Sequence, residues 1–442
     1  MGVGLKPALR STGEARPADQ PAEPGQPGTT PPSGRAGWLY APRWPRKPDL
    51  LLLGAVTTAS TIATHMIVPA LPDAAADLGT TRATIQMTVT LYLVGLAIGQ
   101  LVYGPLSDRF GRRPILMLGL AIYNIASLAA AFAPNVWVLL AARVLQSLGG
   151  CAGIALGRAI VRDSSTPEKA AGSLAMLTLL MSTVPALAPA IGGYVAVAAG
   201  WRAVFALLAA IGVATLVAIF FVFPETRRAH AGGSGAGTMI VNYVRLLRSP
   251  QFCGYALGGA CSTTSYYAFL AASPFLFIEV MHRPPQDVGL CNLLLLLGAA
   301  LGSIGASRFA RRLPFDRAAR LTNWLTVLGA ALLFAVHFAG MTGFVPVVGA
   351  LLVFMLGVGA TSPFAVAGSL SVHPDAAGTA SGLHGCVQMG YGALCSVAAS
   401  LWHEPSVIPV ATIMLGSALL GQVSLTVAAR AGRKASLPLA RG

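Results

Sequence analysis

From Asp49 onward the chain is a succession of about twelve apolar runs of about twenty residues each, parted by short polar breaks. A helix of that length crosses a hydrocarbon core of ~30 Å. Inside lipid, only a helix or a closed barrel satisfies its own backbone polar groups. Each run therefore predicts a membrane-spanning helix. They fall at residues 50–70, 84–106, 114–133, 136–157, 170–199 and 203–223, then at 252–278, 288–307, 318–339, 344–370, 377–402 and 407–429. Between the two sets, residues 224–250 carry Glu225, Arg227, Arg228, a glycine-rich stretch, Arg245 and Arg248. This predicts a cytoplasmic linker joining an N-terminal six-helix bundle (49–223) to a C-terminal one (251–430).

Residues 1–48 are rich in Pro, Gly, Ala and Arg and lack aliphatic periodicity. Such a stretch buries too little apolar surface to offset its ordering entropy, and reads as a disordered basic cytosolic tail. It has no apolar segment of the signal-peptide kind; a start codon further downstream is the alternative. Residues 431–442 read as a second cytosolic tail.

Composition agrees: 55% of residues are hydrophobic and 10% charged, against about 25% charged in soluble domains. The net charge of +15 raises the question of a nucleic-acid partner. The basic residues sit between apolar runs, however, and no aromatic-basic module accompanies them, so no nucleic-acid partner is expected. Of the 30 Lys and Arg, only Arg82, Arg202 and Arg283 fall in alternate, outer loops and Arg143 falls within the fourth run. Arg158, Arg162 and Lys169 are assigned to an inner loop with the remainder. Positive loops stay in the cytoplasm, which places both termini there. The six cysteines form no CxxC pair and have no His at metal spacing, so neither metal nor disulfide is expected.

The halves repeat. Residues 107–113, SDRFGRR, return in weakened form as SRFARR at 307–312, 199 positions later when Arg109-Phe110 is matched to Arg308-Phe309. Duplicated halves are the pattern of secondary transporters.

Four segments carry candidate chemistry. GPLSDRFGRRP at residues 104–114 resembles the signature of the major facilitator superfamily, G-x-L-[SA]-D-R-x-G-R-[RK], placed in the loop between the second and third spans. Gly104 and Gly111 permit a tight turn, and Asp108 is suited to a helix N-terminus or an arginine. With Arg109, Arg112 and Arg113 they form a candidate cytoplasmic gate. RVLQSLGG from Arg143 resembles the R-x-x-Q-G motif of that superfamily's drug:proton antiporters, with Ser147 in the glycine's place. Arg143 and Gln146 share a helix face. An arginine at membrane depth costs at least ~2.5 to 3.5 kcal/mol, so Arg143 is expected in a protein-lined, wet cavity; a structural arginine capping a carbonyl is the alternative. In the fifth span, Pro185, Pro189, Gly192 and Gly193 resemble the antiporter motif G-x-x-x-G-P-x-x-G-G, with Pro185 at a usual glycine. This implies a bent helix at the interface of the halves, against ordinary small-residue packing. The first span ends in THMIVPALP, similar to D-M-Y-L-P-x-L-P of the bicyclomycin and chloramphenicol resistance branch, with His65 where that branch has an acid.

No Asp or Glu lies in the middle of any span. Histidine titrates near neutrality, so His65 is a candidate replacement for the missing carboxylate, or else a neutral histidine bonded within the bundle. His337 and His384 also lie in spans, without distinguishing surroundings. The resemblance implies an all-α integral membrane protein of the major facilitator fold, with twelve transmembrane helices in two pseudo-symmetric six-helix bundles. It further implies export of small lipophilic or cationic drugs, or toxic metabolites, across the bacterial cytoplasmic membrane by proton antiport. His65, Arg143 and Gln146 are the coupling candidates. No Walker A sequence occurs, so the proton gradient is the expected energy source, with no cofactor. A metabolite:proton symporter or an uncoupled facilitator of the same fold are the alternatives. An enzyme is not expected, since paired acids or a His-Asp cluster within the membrane are missing. The expected partners are a small-molecule substrate, protons and lipid, with the protein a monomer.

Overall fold

The computed structural model describes residues 50–164, 167–223, 225, 236–309, 313–373, 376–402 and 406–436. The expected N-terminal tail, residues 226–235 and the last six residues lie outside the described residues, as do many side chains in the first half of the fifth crossing, Pro185 among them. All secondary structure among the described residues is helical: α1 (Leu50–Met66), α2 (Leu71–Asp77), α3 (Arg82–Phe110), α4 (Arg112–Ala131), α5 (Val136–Ser164), α6 (Pro167–Ala199), α7 (Trp201–Val222), α8 (Ala236–Leu247), α9 (Pro250–Thr264), α10 (Tyr266–Pro274), α11 (Pro285–Phe309), α12 (Phe315–Phe338), α13 (Phe344–Ser371), α14 (Ala377–Ser400) and α15 (Val407–Ser436). Nine crossings among the described residues are long and apolar enough on their own to traverse a bilayer. The other three are α6, the broken pair α9–α10, and α14, whose Gly, Ser, His and Gln residues dilute its apolar content. Six crossings form each half, and the even total returns the chain to its starting side.

Several boundaries differ from the sequence expectation. The first crossing continues past residue 70 through a short 3₁₀ turn, Val68–Ala70, into α2. Helix α5 runs on to Ser164, leaving residues 165 and 166 to join it to α6. Arg158 and Arg162 are therefore helical rather than in a loop. The linker holds a helix of its own, α8, and α15 extends to Ser436 into the expected tail. The seventh crossing is broken at Ser265 and, after Pro274, widens into a π-helical turn over Phe275–Val280. There Met281 N donates to Leu276 O at 3.1 Å, the longer ring of a π turn. Proline lacks the N–H needed for the regular ladder, and His282 at φ 52° ends the segment.

Short polar residues set the helix starts. Thr81 Oγ1 accepts from Thr84 N at 3.2 Å, Asn135 Oδ1 from Val138 N at 3.0 Å, and Ser249 Oγ from Phe252 N at 3.3 Å, as N-caps do. Inside, a continuous apolar core runs through both halves, from Leu53 and Tyr92 to Phe277 and Phe354. Outside, large apolar side chains such as Ile125, Trp137, Phe221 and Phe338 are exposed. That arrangement fits a solvent of lipid tails.

Candidate functional site

Arg143 is fully buried within the N-terminal half. Its Nη1 donates to Gln146 Oε1 at 2.6 Å and to Ala63 O of α1 at 3.1 Å, and its Nε donates to Thr88 O of α3 at 3.4 Å. The guanidinium carbon lies 4.0 Å from the Tyr92 ring centroid and 5.8 Å from that of Phe205. Gln146 Nε2 passes the network on to Ser127 Oγ at 2.8 Å, and Tyr92 donates to Ser60 O at 2.8 Å. Arg143 therefore ties α1, α3, α5 and α7 together, and Gln146 adds α4. Carbonyl dipoles, the Gln146 amide and aromatic faces surround its charge, the arrangement of the carbonyl-capping arginine that stood as the alternative. One nitrogen, Nη2, is buried without a partner.

His65 sits on the other side of α1, where the halves meet. Its Nδ1 lies 2.8 Å from Thr61 O. A carbonyl only accepts, so Nδ1 carries a proton, and the neutral ring keeps its lone pair on Nε2. The ring is 6.3 Å from that of Tyr267 on α10, in the opposite half. The structure joins Arg143 directly to Gln146, while His65 is related to them only through the backbone of α1. Among the other histidines, His384 bonds Ser369 Oγ at 2.7 Å through Nδ1.

The glycine-rich signature is mostly helical rather than loop. Gly104, Asp108 and Arg109 form the last turns of α3, Arg112 and Arg113 open α4, and Gly111 alone joins them. Gly111 has φ +99°, and a Cβ there would fall 2.9 Å from Glu225 Oε2, so glycine is required twice over. Asp108 pairs with Arg112 at 2.8 Å. The helix N-terminus is taken by Glu225, whose carboxylate accepts from Arg112 N at 3.0 Å and Arg113 N at 3.2 Å. Arg113 Nη2 adds a bond to Phe220 O at 2.6 Å. Glu225 is the functional residue that the sequence leaves unmarked, since four crossings separate it from the basic start of α4.

At the junction of the halves, α6 meets α11 and α3 meets α14. A Cβ at Gly192 would lie 1.8 Å from Met66 O, and one at Gly193 would lie 3.3 Å from Pro285 O. Gly289 in turn packs on Pro189 and Ala190. The glycines of this motif thus bring α6 against α1 on one side and against the other half on the other. Toward the end opposite the Gly111 turn, Gln86 Nε2 donates to Ala271 O at 3.1 Å, Thr90 Oγ1 to Ser396 Oγ at 2.9 Å, and Arg82 pairs with Glu279. All three bonds cross between halves and hold that end together. Beside Arg82 lies a cavity of about 540 Å³, lined also by Gln86, Ala272 and Trp402.

The chain matches the family description Major Facilitator Superfamily over residues 52–396. The bicyclomycin resistance protein homolog of Haemophilus influenzae is 27% identical over 346 residues, 78% of this chain and 87% of that protein. Multidrug resistance protein D of Escherichia coli is 30% identical over 359 residues, 80% and 88% of the two chains. The chloramphenicol resistance protein of Pseudomonas aeruginosa is 29% identical over 390 residues, 85% and 90%. Among solved structures, a D-xylose-proton symporter superposes with a TM-score of 0.68 at 13% identity, over 84% of this chain and 96% of that one. A bacterial homolog of the lysosomal transporter Spinster, inward-facing and occupied, gives 0.65 at 14%, over 87% and 96%. These structural likenesses speak for the fold alone.

Proposed function

The chain belongs to the major facilitator superfamily, and on that premise we propose that it exports small lipophilic compounds by exchange with protons. Its place would be a bacterial cytoplasmic membrane, with both termini in the cytoplasm, the proton gradient as its energy source and no cofactor. Export is supported by the relatives whose names record resistance to bicyclomycin, chloramphenicol or several drugs. A monomer suffices, because each chain supplies both halves of the path.

The observation that carries the coupling assignment is the position of His65. Its Nδ1 is anchored to Thr61 O, and its ring faces Tyr267 across the junction. A proton taken up on Nε2 would add a charge between the two halves, where any change in their separation changes its solvation. Arg143 and Gln146 hold α1 in register and keep His65 in place. Residues 104–113 with Glu225 form the cytoplasmic gate, and Pro189, Gly192 and Gly193 shape the junction.

The test is proton flux in proteoliposomes holding the purified protein and a pH-sensitive dye, on adding chloramphenicol. Drug-triggered proton movement that His65→Ala abolishes supports the assignment. Drug movement without proton movement replaces it with the uncoupled facilitator, a second reading favoured by the lack of any carboxylate at membrane depth. Movement of drug and proton in the same direction would instead mark a symporter.

A further inference from the structure

Among the described residues, every Asp and Glu sits at a helix end or in a connection. The described part of the path between the halves therefore offers no fixed negative charge to a cation. It does offer a positive one. Arg158 lies on α5, about 9 Å inside the inner end of that helix, and its side chain is exposed. Its Nη1 reaches Ser381 Oγ of α14, in the opposite half, at 3.4 Å. That contact is long, and a guanidinium has five N–H donors. No described carboxylate pairs with Arg158.

The neighbouring face of α14 continues the theme inward. Ser381, His384 and Gln388 follow at helical spacing. His384 is 3% exposed, and its Nε2 is buried without a partner. Gln388 Nε2 donates to Thr263 Oγ1 at 3.0 Å. The Gln100 side chain from α3 lies against Gly385, where a Cβ would fall 1.8 Å from its Oε1. Among the described side chains, the inner part of the junction is thus lined by neutral groups and by the guanidinium of Arg158. Arg143 adds a second positive charge deeper in the N-terminal half, although carbonyls and aromatic rings hold it.

We propose that Arg158 sets the charge selectivity of the path, admitting lipophilic organic anions at the inner mouth and excluding cations of the same size. The inference rests on the export reading only in taking the inner mouth as the point of entry. It narrows the lipophilic cargo of that reading to anions. A cation entering beside Arg158 meets like charge in a medium that screens poorly, whereas a carboxylate or phenolate finds a fork of donors. The membrane potential, negative inside, favours outward movement of an anion. An anion exporter therefore asks less of proton coupling, in keeping with a path that lacks the usual acid.

The experiment is equilibrium binding by fluorescence anisotropy to the purified full-length protein in lipid nanodiscs. It uses two dyes of one scaffold, anionic fluorescein and cationic rhodamine 123, with uncharged Nile red as the reference. Wild type is expected to bind fluorescein at least about tenfold tighter than rhodamine 123. Arg158→Gln should bring the ratio to about one with Nile red binding unchanged, and Arg158→Lys, which keeps the charge, should retain the preference. Equal or tighter binding of rhodamine 123 by wild type overturns the proposal. So does an unchanged ratio in Arg158→Gln. Should Arg158→Gln lose Nile red binding as well, Arg158→Lys decides, since loss of the anion preference with the charge retained overturns the assignment. Binding is read without transport. An anion preference with no proton flux would strike the antiport reading alone, and a cation preference with proton flux intact would strike this one alone.

Discussion

Replacing Arg143 by methionine separates a framing role from a coupling one, because the structure fixes the magnitude to expect. The short bond to Gln146 Oε1 and the bond to Ala63 O involve a charged donor, together ~3 to 4 kcal/mol. The desolvated stack on Tyr92 at 4.0 Å adds ~2 kcal/mol. Against this, methionine no longer pays the ~2.5 to 3.5 kcal/mol of placing an arginine at membrane depth. The net loss is about 2 to 3 kcal/mol, or a drop of about 4 to 8 °C in the thermal unfolding midpoint. The assay is the unfolding midpoint in detergent, followed by intrinsic fluorescence, alongside dye-reported proton flux. Arg143→Lys should fall by a similar amount, since an ammonium lacks the planar fork that reaches Gln146, Ala63 and Thr88 together. A methionine variant with an unchanged midpoint and no proton flux would refute the framing argument and return Arg143 to the coupling machinery.

Four further outcomes follow from particular contacts. Glu225→Gln keeps the shape but weakens the cap on the start of α4; a loss of about 0.5 to 2 kcal/mol is expected, read as faster hydrogen exchange at residues 112–116. Gly192→Val forces a side chain onto Met66 O, where even a Cβ falls at 1.8 Å, so folded protein should be lost on size exclusion while Gly416→Ala, with open space around it, is tolerated. Breaking the Arg82–Glu279 pair with Glu279→Ala should free the outer ends, read as a slower disulfide between cysteines placed at Thr90 and Ser396. The Tyr243 hydroxyl on α8 is pushed up to about 12, by burial first and by the Cys386 thiol second. A raised tyrosine pKa stabilises the fold fully below its ordinary value near 10 and loses that contribution as pH rises through 12. The bond of Tyr243 to Leu101 O, 3.3 Å long, should therefore persist at pH 9 and release α8 above about pH 10 to 12, an effect absent in Tyr243→Phe and measurable by hydrogen exchange in α8.

The number of crossings, the division into halves and the family are legible because each rests on a run or motif that lipid solvation enforces locally. What stays hidden has two sources. The ends of α3 and α5 extend beyond the apolar runs because polar residues continue these helices, so Asp108 and Arg158 read as loop residues when periodicity alone is used. The environment of Arg143 is hidden for another reason. Its neighbours Tyr92, Ala63, Thr88 and Phe205 come from three other helices, and nothing in the local sequence announces that they converge. Glu225 is missed in the same way, since its partners at Arg112 and Arg113 lie more than a hundred residues away.

The repeat that relates the halves also shows where they have parted. Asn124 on α4 and Asn323 on α12 are 199 positions apart, the offset that aligns Arg109 with Arg308. Asn323 is bonded: its Oδ1 accepts from Ser262 Oγ at 2.6 Å, and its Nδ2 donates to Ala418 O at 3.1 Å. Asn124 is buried, and no described protein group bonds its side chain; the Arg143 network instead reaches the same helix at Ser127. The C-terminal half has no such cluster; its first crossing is instead broken at Ser265 and widened after Pro274. The irregular helix is thus the one that carries Tyr267 and leads to Glu279, opposite the side carrying His65. A proton arriving at His65 would act across a junction whose yielding partner is the seventh crossing, so α10 and the π turn after it are where motion between the halves is most easily absorbed.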